Sequence, residues 1–380
     1  MAAAPPGLRS PVVRTNYRCT SPGHLIREER ELSSRARGAP SANRRLPGRP
    51  RSLGDVRGVT ISAPGGPEKL TVSALPDQTP GPDELVVHVA SAGVNRADLL
   101  QRAGSYPPPP GAPDWPGLEV SGTVAAVGES VTGWSVGDRV VALLDGGGYA
   151  EQVRVRSTQV LPVPDGVDLV DAAALPEAAC TVWSNVVDVG RLGADEWLLV
   201  HGGSGGVGTV AVQVGAALGA RVAVTAGGRD RADRCLALGA SLAVDHREED
   251  FVAAVRDASG GHGADVVLDV VGAAYLPRNL EVLATGGRLV VIGMQKGRRA
   301  ELDLGLLLAR RATVAGTTLR ARPPAEKARI VHEVLTHVWP MVEDGRVRPV
   351  VHARLPLEEA ATAHELLDSG DVFGKVLLVP

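Results

Sequence analysis

One stretch constrains this chain more than any other: "EWLLVHGGSGGVGTVAVQVGAALGARVAVTAG", residues 196–227. Trp197 to Val200 form a short apolar run with no polar face, the pattern of a strand buried on both sides. Val207, Val210, Val214 and Leu218 recur at helical spacing, and Gly219 is placed to end that helix. A second apolar run, "RVAVTAG", follows at once. Between the first strand and the helix lies "HGGSGGVG". With 46 glycines in 380 residues, a G-x-G-x-x-G pattern arises by chance about 0.7 times, so the motif counts only in its strand–turn–helix–strand setting. That setting is present. It assigns Gly203 to the tight turn, Gly205 to close approach of the backbone to a pyrophosphate, and Gly208 to close packing of helix on strand. Ser204, Gly206 and Val207 complete the loop, and the helix start offers free N–H groups to phosphate. An ordinary strand–helix turn without ligand is the competing reading.

The length suggests two domains. No apolar run reaches the roughly 18 residues of a membrane helix. Cys19, Cys180 and Cys235 are scattered, which suits a reducing cytoplasm rather than a disulfide framework. Charge is uneven: residues 1–58 carry twelve Arg against four acidic residues, whereas the rest carries 28 basic against 39 acidic. The first segment, rich in Arg, Pro, Ser and Ala, reads as a disordered basic extension. A nucleic-acid arm, a transit peptide and a spurious or dispensable extension compete for it. Acidic residues at Glu28, Glu29 and Glu31 weaken the transit reading. The acidic body makes nucleic acid an unsuited partner.

From Val59 to about Pro176, short Val/Ala-rich runs broken by Gly, Asp and Pro predict a mostly antiparallel, barrel-like domain. From about Glu177 to Arg320, strands alternate with helices, the pattern of a doubly wound parallel sheet. Its strands are predicted at 197–200, 221–225, 242–245, 265–270, 287–292 and 312–318. A helix over about 324–344 and a last strand in "FGKVLLV" are predicted to return to the first domain. The resulting division is 59–177 with 321–380, and 178–320.

In this order the chain carries "GVNRADL" (93–99), "PGLEVSGTVAAVG" (116–128), "GDRV" (137–140), "GGYAE" (147–151) and "AAALPEAACTVW" (172–183). Then follow the glycine loop, "LDVVG" (268–272), "GGRLVVIG" (286–293) and "GKVLL" (374–378). On these collinear motifs, residues 59–380 resemble the zeta-crystallin-like quinone oxidoreductase branch of the medium-chain dehydrogenase/reductase superfamily. "NRADLLQRAGSYPPPPG" looks closest to the subgroup of the tumour-suppressor-inducible quinone oxidoreductase and its bacterial relatives. The resemblance implies an α/β fold: a parallel-sheet Rossmann domain beside a GroES-like, mostly antiparallel β-barrel. It also implies a homodimer, for which the edge strand near 312–318 is available.

Zinc-dependent members of the superfamily place a Cys where this chain has Asn95 and a His in the "PGLE" segment, where Leu118 precedes Glu119. They also carry a four-Cys lobe. Zinc is held by thiolate, imidazole or carboxylate ligands, so no metal is expected here. The family chemistry that remains is hydride transfer from NADPH to an electron-poor quinone. Reduction of α,β-unsaturated ketones or enoyl thioesters is the nearest rival, and nucleotide binding with little turnover is another.

At the tip of the second strand stands no acid to bind a ribose 2′-hydroxyl; Gly227 is followed by Arg229 and Arg231, which suit a 2′-phosphate. Arg231 matches the basic residue of the family's G-S-x-x-K motif, and Gly228 replaces its Ser. A solvated helix start is the alternative for both arginines. The resemblance further places Gly272, Gly293, Phe373 and Lys375 at the cofactor, and Asn95 and Tyr106 beside nicotinamide and quinone. Tyr106 offers a ring and a hydroxyl to a developing oxyanion, or else anchors its loop on the prolines; Asn95 also reads as a turn cap. "DHREED" (245–250) reads as the solvated start of a helix, and His201 as structural.

Overall fold

Alternating Val/Ala runs between glycine and proline breaks do fold as short strands. The computed structural model describes residues 56–380, so the reading of residues 1–55 lies outside it. The strands are β1 (Val56–Ile61), β2 (Leu70–Leu75), β3 (Glu84–Gly93), β4 (Glu119–Val127), β5 (Arg139–Leu143), β6 (Gln152–Arg156) and β7 (Val160–Pro162). Then come β8 (Trp197–His201), β9 (Arg221–Ala226), β10 (Leu242–Asp245), β11 (Ala264–Asp269), β12 (Leu283–Val291) and β13 (Thr313–Gly316), and finally β14 (Val351–Pro356) and β15 (Lys375–Val379).

β8 to β13 form a parallel sheet in the order β10-β9-β8-β11-β12-β13. The order reverses between β8 and β11, and an open α/β sheet holds its ligand at the carboxyl ends of strands at such a switch point. β8 is buried along its whole length, as its unbroken apolar run requires. The long helix predicted at 324–344 is interrupted: it runs Pro324–His337, passes through Val338 and resumes at Trp339–Glu343. Pro340 has no N–H for the helical ladder, and its ring clashes with the carbonyl four residues back.

The other large sheet is mixed, with order β14-β15-β3-β4-β5-β7 and β6 added on β3. Its pairs are antiparallel except β14 with β15. The last strand thus returns to the first sheet. β1 begins at Val56, ahead of Val59, because Val56 packs on Leu75 and Ala150. The helix Pro176–Val182 runs on into a π-helical turn, Trp183–Val189. One core extends from Val141, Leu143 and Leu161 of the mixed sheet, through Ala178 and Val182, to Leu198, Val200 and Val224 of the parallel sheet. That shared core fixes the two sheets against each other and leaves a groove where their loops meet.

Candidate active site

The glycine turn forms one wall of the groove. Gly202, not Gly203, takes the positive φ (72°) that makes the turn tight; its lack of a side chain permits this backbone. Gly203 is needed for packing instead, since a Cβ there would stand 2.6 Å from Val224 Cβ. Gly208 serves the close contact read from the sequence: a Cβ would come within 2.1 Å of the Gly202 carbonyl oxygen. Gly205 differs from both. Its missing Cβ faces nothing nearer than 3.5 Å, so the backbone is open to the groove, as approach of a pyrophosphate requires. The helix Gly206–Ala217 starts there with its N–H groups unspent. Gly374 seals the far side: its N–H donates to Ser204 O at 2.8 Å.

Nine of the predicted residues line this groove: Asn95, Ser204, Gly205, Gly206, Val207, Gly208, Gly227, Arg231 and Lys375. Others have different places. Arg229 lies on the exposed face of the helix Arg229–Ala237, paired with Asp233 at 3.1 Å. Gly272 (φ 82°) and Gly293 are close-packed turns; a Cβ would meet Gly297 O and Val270 O respectively, each at 2.8 Å. They support Val270 and Val271, which reach the groove. Phe373 is buried with the Arg234 guanidinium 3.7 Å above its ring. Tyr106 stands outside the groove lining, half-buried, with the Arg320 guanidinium carbon 5.6 Å from its ring centre.

Of "DHREED", the last residue alone starts a helix. The next helix begins at Phe251, capped by Asp250, and the preceding turn folds His246 and Arg247 into the groove. Asp245 causes this, because its Oδ1 accepts from the N–H groups of Gly228 (2.9 Å) and Arg247 (3.1 Å). Around Gly227, a Cβ would find Arg231 Nη2 at 3.1 Å, His246 Nε2 at 3.2 Å and Arg247 Nε at 3.4 Å. Arg231 is braced on the carbonyls of Gly227 and Gly370. His201, by contrast, is sealed at the end of β8: Nε2 donates to Asn279 Oδ1 (2.7 Å), so Nδ1 accepts from Thr225 Oγ1 (3.0 Å). Burial holds its pKa down at about 4, a neutral structural histidine.

At its other end the groove meets a buried polar cluster. Asn95, 8% exposed, heads the helix Arg96–Arg102, and its N–H donates to Asp98 Oδ2 at 2.8 Å. Its side chain is also engaged: Oδ1 accepts from Lys375 Nζ at 2.6 Å, and Nδ2 donates to Glu119 Oε1 at 3.0 Å. Asn95 is therefore both a cap and a member of the groove. Lys375 forms an ion pair with Glu119, both nearly inaccessible to water. Glu119 Oε2 takes the N–H of Glu177 at 2.9 Å.

Behind Asn95 the hydrogen bonds have a single direction. Arg102 is a donor only, so His364 Nδ1 accepts from it (3.2 Å) and Nε2–H donates to Tyr149 Oη (3.1 Å), whose own hydrogen goes to Asp98 (3.2 Å). Burial, reinforced by Arg102, lowers the His364 pKa to about 3. Burial raises Asp98 to about 6 against the bonds from Asn95 and Gly117. It raises Glu177 to about 8, with the Glu119 charge adding to it and Lys375 and Arg320 opposing it. From the sequence, Asp98, Glu119, Glu177 and Arg320 carried no sign of this role. Each is a common residue inside an apolar stretch, and only the topology brings them together.

The donor set does not suit zinc. Where zinc-dependent members set a thiolate, Asn95 presents an amide already bonded on both sides, and a lysine ammonium occupies the centre of the cluster. An ammonium donates and cannot ligate a cation. Among the described residues no group of three or more His, Cys, Asp or Glu is placed to hold a metal.

Comparison with known proteins agrees with the fold. The Alcohol dehydrogenase GroES-like domain family matches residues 81–165, and the Zinc-binding dehydrogenase family matches residues 238–378. The chain belongs to the medium-chain dehydrogenase/reductase superfamily. It is 30% identical over 327 residues to the quinone oxidoreductase of Rattus norvegicus, covering 85% of this chain and 98% of that one. It is 33% identical over 322 residues to the mycocerosic acid synthase-like polyketide synthase of Mycobacterium tuberculosis. That match covers 84% of this chain and 15% of the much longer synthase. The solved Escherichia coli quinone oxidoreductase complexed with NADPH superposes with a TM-score of 0.76 at 30% identity, covering 86% of this chain and 99% of the other.

Proposed function

We propose that the protein is a zinc-independent, NADPH-dependent oxidoreductase that reduces quinones, of the zeta-crystallin-like branch. The observation that carries the coenzyme choice is the rim around Gly227, where Arg231, His246 and Arg247 converge and Ala226 stands at the tip of β9. Arg247 forms no ion pair among the described residues, so its guanidinium is available to a 2′-phosphate. When bound, the nicotinamide supplies hydride. The protein's part is to hold it: Gly205 admits the pyrophosphate, Gly374 closes the turn, and Asn95 and Lys375 fix the polar end of the groove. The division into 59–177 with 321–380 and 178–320 is supported by β3 to β7, β14 and β15 sharing the mixed sheet and β8 to β13 the parallel one. Exposed Leu304, Leu308 and Val314 beside the edge strand β13 support a homodimer, and the free buried Cys180 and Cys235 suit the cytoplasm.

Enone or enoyl-thioester reduction is the second reading, favoured by the likeness to a polyketide synthase segment. A panel of quinones, enones and enoyl thioesters, assayed with NADPH and NADH, tests both. A charge-assisted phosphate contact is worth roughly 1–2 kcal/mol, so kcat/KM is expected to favour NADPH about tenfold or more, and Arg247→Ala to erase most of that preference. An NADH preference, or equal losses for both coenzymes in the variant, would contradict the assignment.

A further inference from the structure

Two ionisable side chains, Arg320 and Glu177, make no ion pair among the described residues, and the Arg320 guanidinium carbon lies 5.6 Å from the Tyr106 ring centre. Arg320 is 4% exposed; its Nε donates to Asp145 O at 2.7 Å, yet Nη1 and Nη2 have no partner among the described residues. Leaving guanidinium N–H groups buried and unsatisfied is costly, and native sites that keep such groups commonly offer them to a ligand. Glu177, in the first turn of the helix Pro176–Val182, has its N–H tied to Glu119 while its carboxyl makes no hydrogen bond among the described residues. Each of the two feels the other's charge, and both act on Tyr106, but no ion pair joins them. Gly146 lines the guanidinium: a Cβ there would lie 3.2 Å from Arg320 Nη2 and 3.0 Å from Pro113 O.

We propose that Glu177 and Arg320 together receive the carbonyl oxygen of the acceptor, Arg320 as hydrogen-bond donor and Glu177 as the acid that protonates it. The inference rests on the carbonyl-reducing reading above. In the step, hydride from the reduced coenzyme forms a C–H bond at the electron-poor carbon of the conjugated acceptor. The π electrons move to the carbonyl oxygen, which takes the proton of the Glu177 carboxylic acid. The coenzyme is oxidised, the acceptor is reduced by two electrons, and the carboxylate left behind regains its proton from water. The charged and titratable groups that act on Glu177, or on which it acts, are Glu119, Lys375, Asp98, Arg320, Tyr106 and, on its own helix, Cys180. Burial and Glu119 keep the carboxyl protonated at neutral pH; Arg320 and Lys375 stabilise the anion once the proton has left.

The test compares wild type with Glu177→Gln, Arg320→Met and Arg320→Lys, each checked for melting temperature and NADPH affinity. With an enone acceptor, wild-type kcat/KM is expected to be level to about pH 8 and to fall above it, following the Glu177 carboxyl. Glu177→Gln is expected to be lower by about 100-fold at neutral pH and to lack that fall. Arg320→Met is expected to lose about 100-fold, and Arg320→Lys to recover part of it, with NADPH affinity intact throughout. A Glu177→Gln protein with the wild-type rate and profile, or an Arg320→Met protein with wild-type kcat/KM, overturns the proposal. If the wild type turns over no carbonyl acceptor at all, the reductase reading fails instead. The cradle is then read by titrating 4-nitrophenol into the NADP⁺-loaded protein. Beside Arg320 its apparent pKa falls below that of the free phenol, and the shift disappears in Arg320→Met. Binding without a shift overturns the cradle independently of turnover.

Discussion

The two ends of the groove are built from different materials. The nucleotide end is backbone: glycines whose missing side chains leave a turn, a close contact or an opening, with a cationic rim at Gly227. The other end is a knot of polar side chains, Asn95, Asp98, Glu119, Arg320 and Lys375 buried and Glu177 partly buried, drawn from five separate stretches of chain. Backbone sites tolerate change only where a Cβ fits. Buried charge sites tolerate it only where no partner is left alone. The contrast teaches that binding and chemistry at this groove are separable by substitution.

The largest effect is expected from breaking the charge knot. Lys375→Met leaves the Glu119 carboxylate buried without its cation, and removing one partner of such a pair costs about 3–5 kcal/mol. Chemical denaturation should show that loss; a variant as stable as wild type would contradict the buried Lys375–Glu119 ion pair. Next, Gly208→Ala forces a methyl within 2.1 Å of a backbone oxygen, and overpacking of this kind costs about 1–3 kcal/mol. Gly205→Ala sharpens the comparison, because the methyl has room. Melting temperature is expected to stay level while NADPH affinity, measured by fluorescence titration, falls about tenfold. If both glycine variants lose stability equally, Gly205 is a packing residue as Gly203 is.

A separate effect concerns pH. The Glu177 pKa is raised to about 8 from 4.5, so the folded state holds its proton more tightly than the unfolded chain, and stability falls as pH rises through that interval. Glu177→Gln removes this fall and is expected to melt higher than wild type at pH 8. His201 acts in the opposite sense: its pKa is lowered to about 4 from 6.5, so its contribution is present above pH 6.5 and is lost on acidification. Melting temperature followed from pH 5 to pH 9 reads the two opposing trends, with His364 at the polar end acting in the same sense as His201.

The backbone end was largely legible in the sequence, because glycine spacing and apolar periodicity report local geometry. All six strands of the parallel sheet were read close to their places. What failed there was assignment within the turn: positive φ at Gly202 rather than Gly203 depends on how the turn leaves β8. Likewise, "DHREED" reads as a helix start until Asp245 is seen pulling two backbone N–H groups inward. The resemblance puts Gly272, Gly293 and Phe373 at the cofactor; in the structure they stand outside the groove lining, next to Val271, Val270 and Val372, which reach it. The polar end was legible only at Asn95 and Lys375. Glu119, Glu177 and Arg320 lie 21, 79 and 222 residues beyond Asp98 along the chain, and neither periodicity nor spacing connects them. Burial makes them special, and burial is a property of the fold.

The central claim is that charged side chains, rather than a bound metal, support reduction by NADPH at this groove. The most direct measurement is NADPH oxidation with a benzoquinone after exhaustive dialysis of the full chain against a zinc chelator. The account predicts that kcat and kcat/KM are unchanged by dialysis and by added zinc. Activity that vanishes on dialysis and returns with stoichiometric zinc would contradict it.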